Sequence, residues 1–101
     1  MNWQVYIIRC SDQSLYTGIT NNVERRWRQH ATRRGAKYFR GREPLEIVYL
    51  EPGHDRGSAS RREADIKKLQ RVEKERLIRS RHNQLHTLTG TEVEHVITGP
   101  D

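Results

Sequence analysis

The tightest constraint on this chain lies in its first twenty residues. Trp3 to Cys10 (WQVYIIRC) is dense in β-branched and aromatic side chains and predicts a strand. Asp12-Gln13-Ser14 breaks the run as a turn, and Leu15 to Ile19 (LYTGI) predicts a second strand, so the two form a hairpin. Strand parity then sorts the side chains. Val5 and Ile7 share one face while Tyr6 and Ile8 share the other, and Leu15, Thr17 and Ile19 separate in the same way from Tyr16 and Gly18. Tyr6 and Tyr16 fall on one face.

The rest of the chain builds on that hairpin. Asn21 with Glu24 three residues on predicts a capping box that opens a helix running to about Ala31, with Val23, Trp27 and Ala31 as its buried stripe. Gly35 and Gly41 bracket a short loop. Leu45 to Leu50 (LEIVYL) predicts a third strand, ended by Pro52-Gly53. Ser58 or Ser60 then caps a helix carrying Ala59, Ile66 and Leu69, and a further helical stretch spans about Val72 to Arg81. The order β-β-α-β-α-α predicts a small single α/β domain over residues 1–82, a three-stranded and mainly antiparallel sheet flanked by helices. Residues 83–101 read as a C-terminal tail.

Composition narrows the function. At 101 residues there is material for one domain. No apolar run approaches the ~20 residues of a membrane span, and the first residues lack the order of a secretory signal. Cys10 is the single cysteine, which leaves no internal disulfide and no zinc site on paired cysteines. Together these predict a cytoplasmic protein. Nineteen Lys and Arg stand against thirteen Asp and Glu, a net +6, and fifteen of the nineteen are Arg, whose planar fork grips phosphate. The surplus is concentrated: Arg25, Arg26, Arg28, Arg33, Arg34, Lys37, Arg40 and Arg42 fall in one stretch without an acid. Such a stretch suggests a polyanionic partner.

Three further residues carry chemistry. Arg26 and His30 sit at i, i+4 on the first helix, so a phosphate-holding guanidinium can lie beside a proton-moving imidazole. Glu63 would complete a capping box with Ser60 and can pair with Lys67 one turn on. It also falls between Ala59 and Ile66 on the stripe that faces the core, where a carboxylate needs a partner. A hard cation such as Mg²⁺ is one.

Gln4-Val5-Tyr6, Tyr16-Thr17-Gly18, Arg26 and His30 on a helix, and Glu63, in this order and spacing, resemble the GIY-YIG endonuclease family. The likeness is greatest to its small stand-alone bacterial members, similar to the N-terminal nuclease module of the repair protein UvrC. It extends over about residues 3 to 80 through LYTGIT, VERRWRQH, GAKYFRG and RREADIKKL. The resemblance implies a divalent-metal-dependent endonuclease that hydrolyses DNA phosphodiesters in repair or processing. By position, it makes Tyr6 the general base, Tyr16 a residue that orients water, and Arg26 the ligand of the scissile phosphate. His30 would assist proton transfer, and Glu63 would hold one Mg²⁺ or Mn²⁺. Tyr38 would join Arg25, Arg28, Arg33, Arg34, Lys37, Arg40 and Arg42 in contacting nucleic acid. A partner protein would supply substrate specificity, and RNA stays open beside DNA as substrate. The five catalytic positions are expected to converge on one concave face. Gln4 stands where the family's name motif has glycine, and Thr17 where it has isoleucine.

Two other functions use fewer of these residues. A non-catalytic nucleic-acid-binding module needs only the Arg25–Arg42 stretch and leaves Glu63 as a helix cap. A small interaction protein would offer the same basic face to an acidic partner.

Overall fold

A computed structural model describes residues 2–32 and 41–85. The hairpin forms as predicted from β1 (Trp3–Cys10) and β2 (Leu15–Thr20). It is followed by α1 (Val23–Ala31), β3 (Pro44–His54), α2 (Arg56–Lys67) and α3 (Arg71–Ile78). The sheet has the order β2-β1-β3, and both ladders are antiparallel.

β1 is therefore central, and it is dry on both faces: Val5, Ile7 and Ile8 are fully buried, and Tyr6 keeps 2% exposure. On one face Tyr6, Ile8, Cys10, Ile47 and Leu50 pack with Val23 and Trp27 of α1. On the other, Val5, Ile7 and Tyr49 pack with Ala59 and Ile66 of α2 and with Leu77 and Ile78 of α3. The sheet is a wall with α1 on one side and α2 and α3 on the other. Cys10 is a small packed side chain in the first cluster.

Several boundaries differ from the sequence expectation. The α1 cap is Asn22, whose side chain accepts from the Arg25 N–H at 3.0 Å. Asn22 is held in place by Thr20, whose Oγ1 accepts from the Asn22 N–H at 3.0 Å. Ala31 is exposed, and His30 takes the inward position, seven residues after Val23 on the same helix face. β3 does not stop at Pro52-Gly53. It continues to His54 across a register irregularity, with Gly53 at φ 87° absorbing the extra residue.

Neither Ser58 nor Ser60 caps α2. Asp55 does so, and Ser58 is the third helical residue of the capping box, its hydroxyl accepting from the Asp55 N–H. Glu63 is thus mid-helix, and a capping role for it is overturned. α3 spans a shorter stretch than the Val72–Arg81 expectation and starts one residue earlier. After it, Asn83 is bound to β3. Its Nδ2 donates to the carbonyls of Val48 (2.8 Å) and Ile78 (2.9 Å), and its Oδ1 accepts from the N–H of Leu50 (3.2 Å) and Leu85 (3.0 Å).

Candidate active site

The site grows from one cross-strand pair. Tyr6 on β1 stands opposite Gly18 on β2, and its ring lies over the glycine. A Cβ built on Gly18 would fall 2.5 Å from the Tyr6 hydroxyl oxygen and 3.1 Å from the Tyr16 ring. No side chain fits there, so the glycine is a requirement of the tyrosine above it. Tyr16 is placed by strand parity on the same face, its ring centroid 6.2 Å from that of Tyr6.

α1 brings the other two groups down onto the pair. The Tyr6 hydroxyl and His30 Nε2 are 2.8 Å apart in a buried hydrogen bond. The Tyr16 ring meets the His30 ring edge-on at 5.4 Å. Arg26, one turn before His30, lies beside both tyrosines, and its Nη1 donates to Gln29 Oε1 at 2.9 Å. Gln29 is a residue the sequence reading missed; its i, i+3 spacing from Arg26 was the available signal.

Two layers result. Tyr6 and His30 are buried, at 2% and 0% exposure, while Tyr16 and Arg26 are half-buried and form the outer layer. Burial sets the protonation states. It pushes the Tyr6 phenol well above its ordinary range; Tyr16 adds to the rise, and the Arg26 charge pulls the other way without offsetting it. The Arg26 charge by itself therefore does not make Tyr6 basic in the protein without ligand. Burial, followed by the Arg26 charge, lowers His30 to about 4. At neutral pH the pair is a neutral phenol against a neutral imidazole, a proton donor facing a proton acceptor.

The GIY-YIG catalytic domain model matches residues 2–76. The chain belongs to the GIY-YIG family. It resembles several small proteins over most of their length. It is 53% identical to a UPF0213 protein of Oceanobacillus iheyensis over 74 residues, 73% of this chain and 86% of that one. It is 47% identical to the UPF0213 protein YhbQ of Escherichia coli over 76 residues, 75% of this chain and 76% of that one. The solution NMR structure of the UPF0213 protein BH0048 from Bacillus halodurans aligns with a TM-score of 0.53 at 40% identity, covering 88% and 95% of the two chains. The fold described above is the fold of that relative.

The fifth GIY-YIG position is carried by a different layer of the fold. Glu63 is on α2, which packs on the sheet face opposite Tyr6 and lies mainly against β2 and β1. The structure joins Tyr6, Tyr16, Arg26 and His30 directly, while the contact described for Glu63 is with its own helix. Glu63 pairs with Lys67 at 3.2 Å, as its spacing suggested, and its side chain keeps 24% exposure. The stripe spacing showed that Glu63 turns toward the sheet but could not show which face of the sheet α2 covers.

The donor set fits a hard cation of low protein coordination. No group of three or more His, Cys, Asp or Glu among the described residues could cage a metal. Mg²⁺ commonly takes one or two carboxylates and fills its shell with water and phosphate oxygens. Glu63 would supply one, in place of its 3.2 Å pairing with Lys67, whose side chain is 53% exposed.

The basic stretch is only partly described. Arg25 is exposed at the first turn of α1. Arg28 pairs with Glu24 at 3.7 Å and Arg42 with Asp12 at 3.2 Å, so acids outside the stretch temper it. Arg33, Arg34, Lys37, Tyr38 and Arg40 lie outside the described residues. No described helix is long and apolar enough to cross a membrane.

Proposed function

We propose that this protein is a divalent-metal-dependent endonuclease that hydrolyses DNA phosphodiester bonds, in repair or processing. The observation that carries the reading is the buried 2.8 Å bond between Tyr6 and His30, roofed by Arg26 and Tyr16. A donor–acceptor pair set beneath a guanidinium serves phosphate chemistry better than packing. Burying two polar rings and a cation beside one another costs stability that an apolar core would not.

Arg26 binds the scissile phosphate and offsets charge as it grows on the phosphoryl oxygens. Tyr16, in the outer layer, meets the attacking water first. As the water loses its proton to Tyr16, Tyr16 passes its own to Tyr6, and Tyr6 passes its own to His30 Nε2. Both phenols end neutral, so neither has to persist as a buried phenolate, and the proton rests on the imidazole. A bound phosphate raises the His30 pKa from about 4 because its negative charge favours the imidazolium. Glu63, on a helix that lies mainly against β1 and the edge strand β2 carrying Tyr16, would hold the single divalent ion, Mg²⁺ or Mn²⁺, which when bound would polarise the phosphodiester and stabilise the leaving oxygen.

Cleavage of labelled duplex and branched DNA, with Mg²⁺, Mn²⁺ or chelator, tests the assignment. Glu63→Ala and Tyr6→Phe each should lower the cleavage rate by at least 100-fold, an order of magnitude typical of lost acid–base groups. Glu63→Ala should lose no more than about 1 kcal/mol of stability, as partly exposed changes do, and Tyr6→Phe about 1–3 kcal/mol, because it removes the buried hydrogen bond to His30 Nε2. Cutting by the wild-type protein that persists in chelator and in Glu63→Ala would sink the reading.

A further inference from the structure

A second basic surface lies outside the α1 stretch. From Arg76 to Gln84 the chain carries Arg76, Arg79, Arg81 and His82 and no acid. All four are exposed, and none of the three arginines has an ion-pair partner among the described residues. The α3 dipole accounts for cations in its last turn. It does not account for Arg81 and His82, which lie beyond the helix and line an open groove of about 530 Å³ with His54, Gln84 and Glu51. Glu51 does not make that groove acidic, because its carboxylate is taken up by His54 (2.7 Å), Arg62 (3.1 Å) and the Tyr49 hydroxyl.

Register ties the groove to the row of the sheet that carries Tyr6. Gly18, Tyr6 and Leu50 form one row across the sheet. The row continues outward, since the Gln84 N–H donates to the Leu50 carbonyl at 2.8 Å. Two strand spacings of about 4.8 Å separate Tyr6 from Gln84, roughly 10 Å. That is about three base-pair steps of a duplex axis at 3.4 Å per strand charge.

We propose that the groove beside β3, lined by Arg81 and His82 and preceded along the chain by the exposed Arg79, is a second phosphate-binding track for the nucleic acid cut at Tyr6. The track holds the backbone a few nucleotides from the scissile bond. The proposal rests on the nuclease reading for its ligand class. It explains how a domain of this size grips substrate with its catalytic pair buried: phosphate is held on two sides of the sheet edge, and the reacting group is set between them.

The test is duplex DNA binding without divalent metal over a salt series, on wild type and Arg79→Ala/Arg81→Ala. The double variant should bind at least 10-fold more weakly at low salt. Its plot of log affinity against log salt should be shallower by about 1.8, two phosphates at 0.9 each. In cleavage it should raise KM and leave kcat unchanged. A control lacking two exposed charges elsewhere, Arg61→Ala/Lys68→Ala, should lose less than a third of that affinity. Equal loss in both variants, or wild-type binding that Arg79→Ala/Arg81→Ala retains, overturns the track while leaving the nuclease reading intact. So does poly-glutamate competing as well as DNA at equal charge, which would make the surface a generic anion or acidic-protein site. No duplex binding by wild type at low salt overturns both.

Discussion

Gly18 and His30 hold the greatest leverage of any single residues in the site. Gly18→Ala places a methyl within 2.5 Å of the Tyr6 oxygen. Neither the central strand nor the ring packed between Gly18 and His30 can yield cheaply, so the variant should lose about 1–3 kcal/mol, the usual range for overpacking. It should also shift the imidazole resonances of His30 as Tyr6 moves. An alanine variant with unchanged His30 signals and full stability would show that the ring is not seated on the glycine. His30 makes a separate statement about pH. Its folded pKa, about 4, lies below the ordinary 6.5, so the unfolded chain binds the proton first on acidification. The contribution is complete above pH 6.5 and is lost as pH falls from 6.5 through 4, on the order of 3 kcal/mol at most. Denaturant midpoints of wild type and His30→Gln should therefore diverge least at pH 4 and most above pH 7. Parallel curves across that window would contradict the buried neutral imidazole.

The elements were legible in proportion to how local their causes are. The hairpin needs only alternation and a turn, and parity alone put Tyr6 and Tyr16 together. The cap of α1 was read one residue early, because two adjacent asparagines offer the same chemistry and the choice is made by Thr20 behind them. The cap of α2 was hidden because its capping box uses serine at the third position, where glutamate or glutamine is the usual signal. β3 ran past Pro52-Gly53 because an edge strand tolerates proline at a bulge. Asn83 had no local signature, since its partners on β3 are 33 and 35 residues away. It binds the segment after α3 to an edge that would otherwise be open. Asn83→Ala should cost roughly 2–4 kcal/mol by stranding the Leu50 N–H and the carbonyls it serves. Hydrogen exchange at the Leu50 amide should speed up accordingly. Unchanged protection there would mean that another group covers the edge.

At the scale of the whole molecule, the residues of the proposed site are divided between two layers, α1 and α2. Four residues were brought together as the spacing implied, whereas the face taken by α2 depends on how β3 hands the chain across, which no pattern in residues 56–69 encodes. The division has a consequence for how the protein acquires its chemistry as it folds. Tyr6, Tyr16, Arg26 and His30 fall within 25 consecutive residues, and the bond that joins them closes a separation of only 24. A hairpin and one helix suffice to assemble them, at low loop-closure cost. Glu63 arrives only when β3 has paired and α2 has docked on the far side. During synthesis the nascent chain can form the Tyr6–His30 pair while Glu63 is still unmade or undocked, so the residues of the proposed site assemble in two stages.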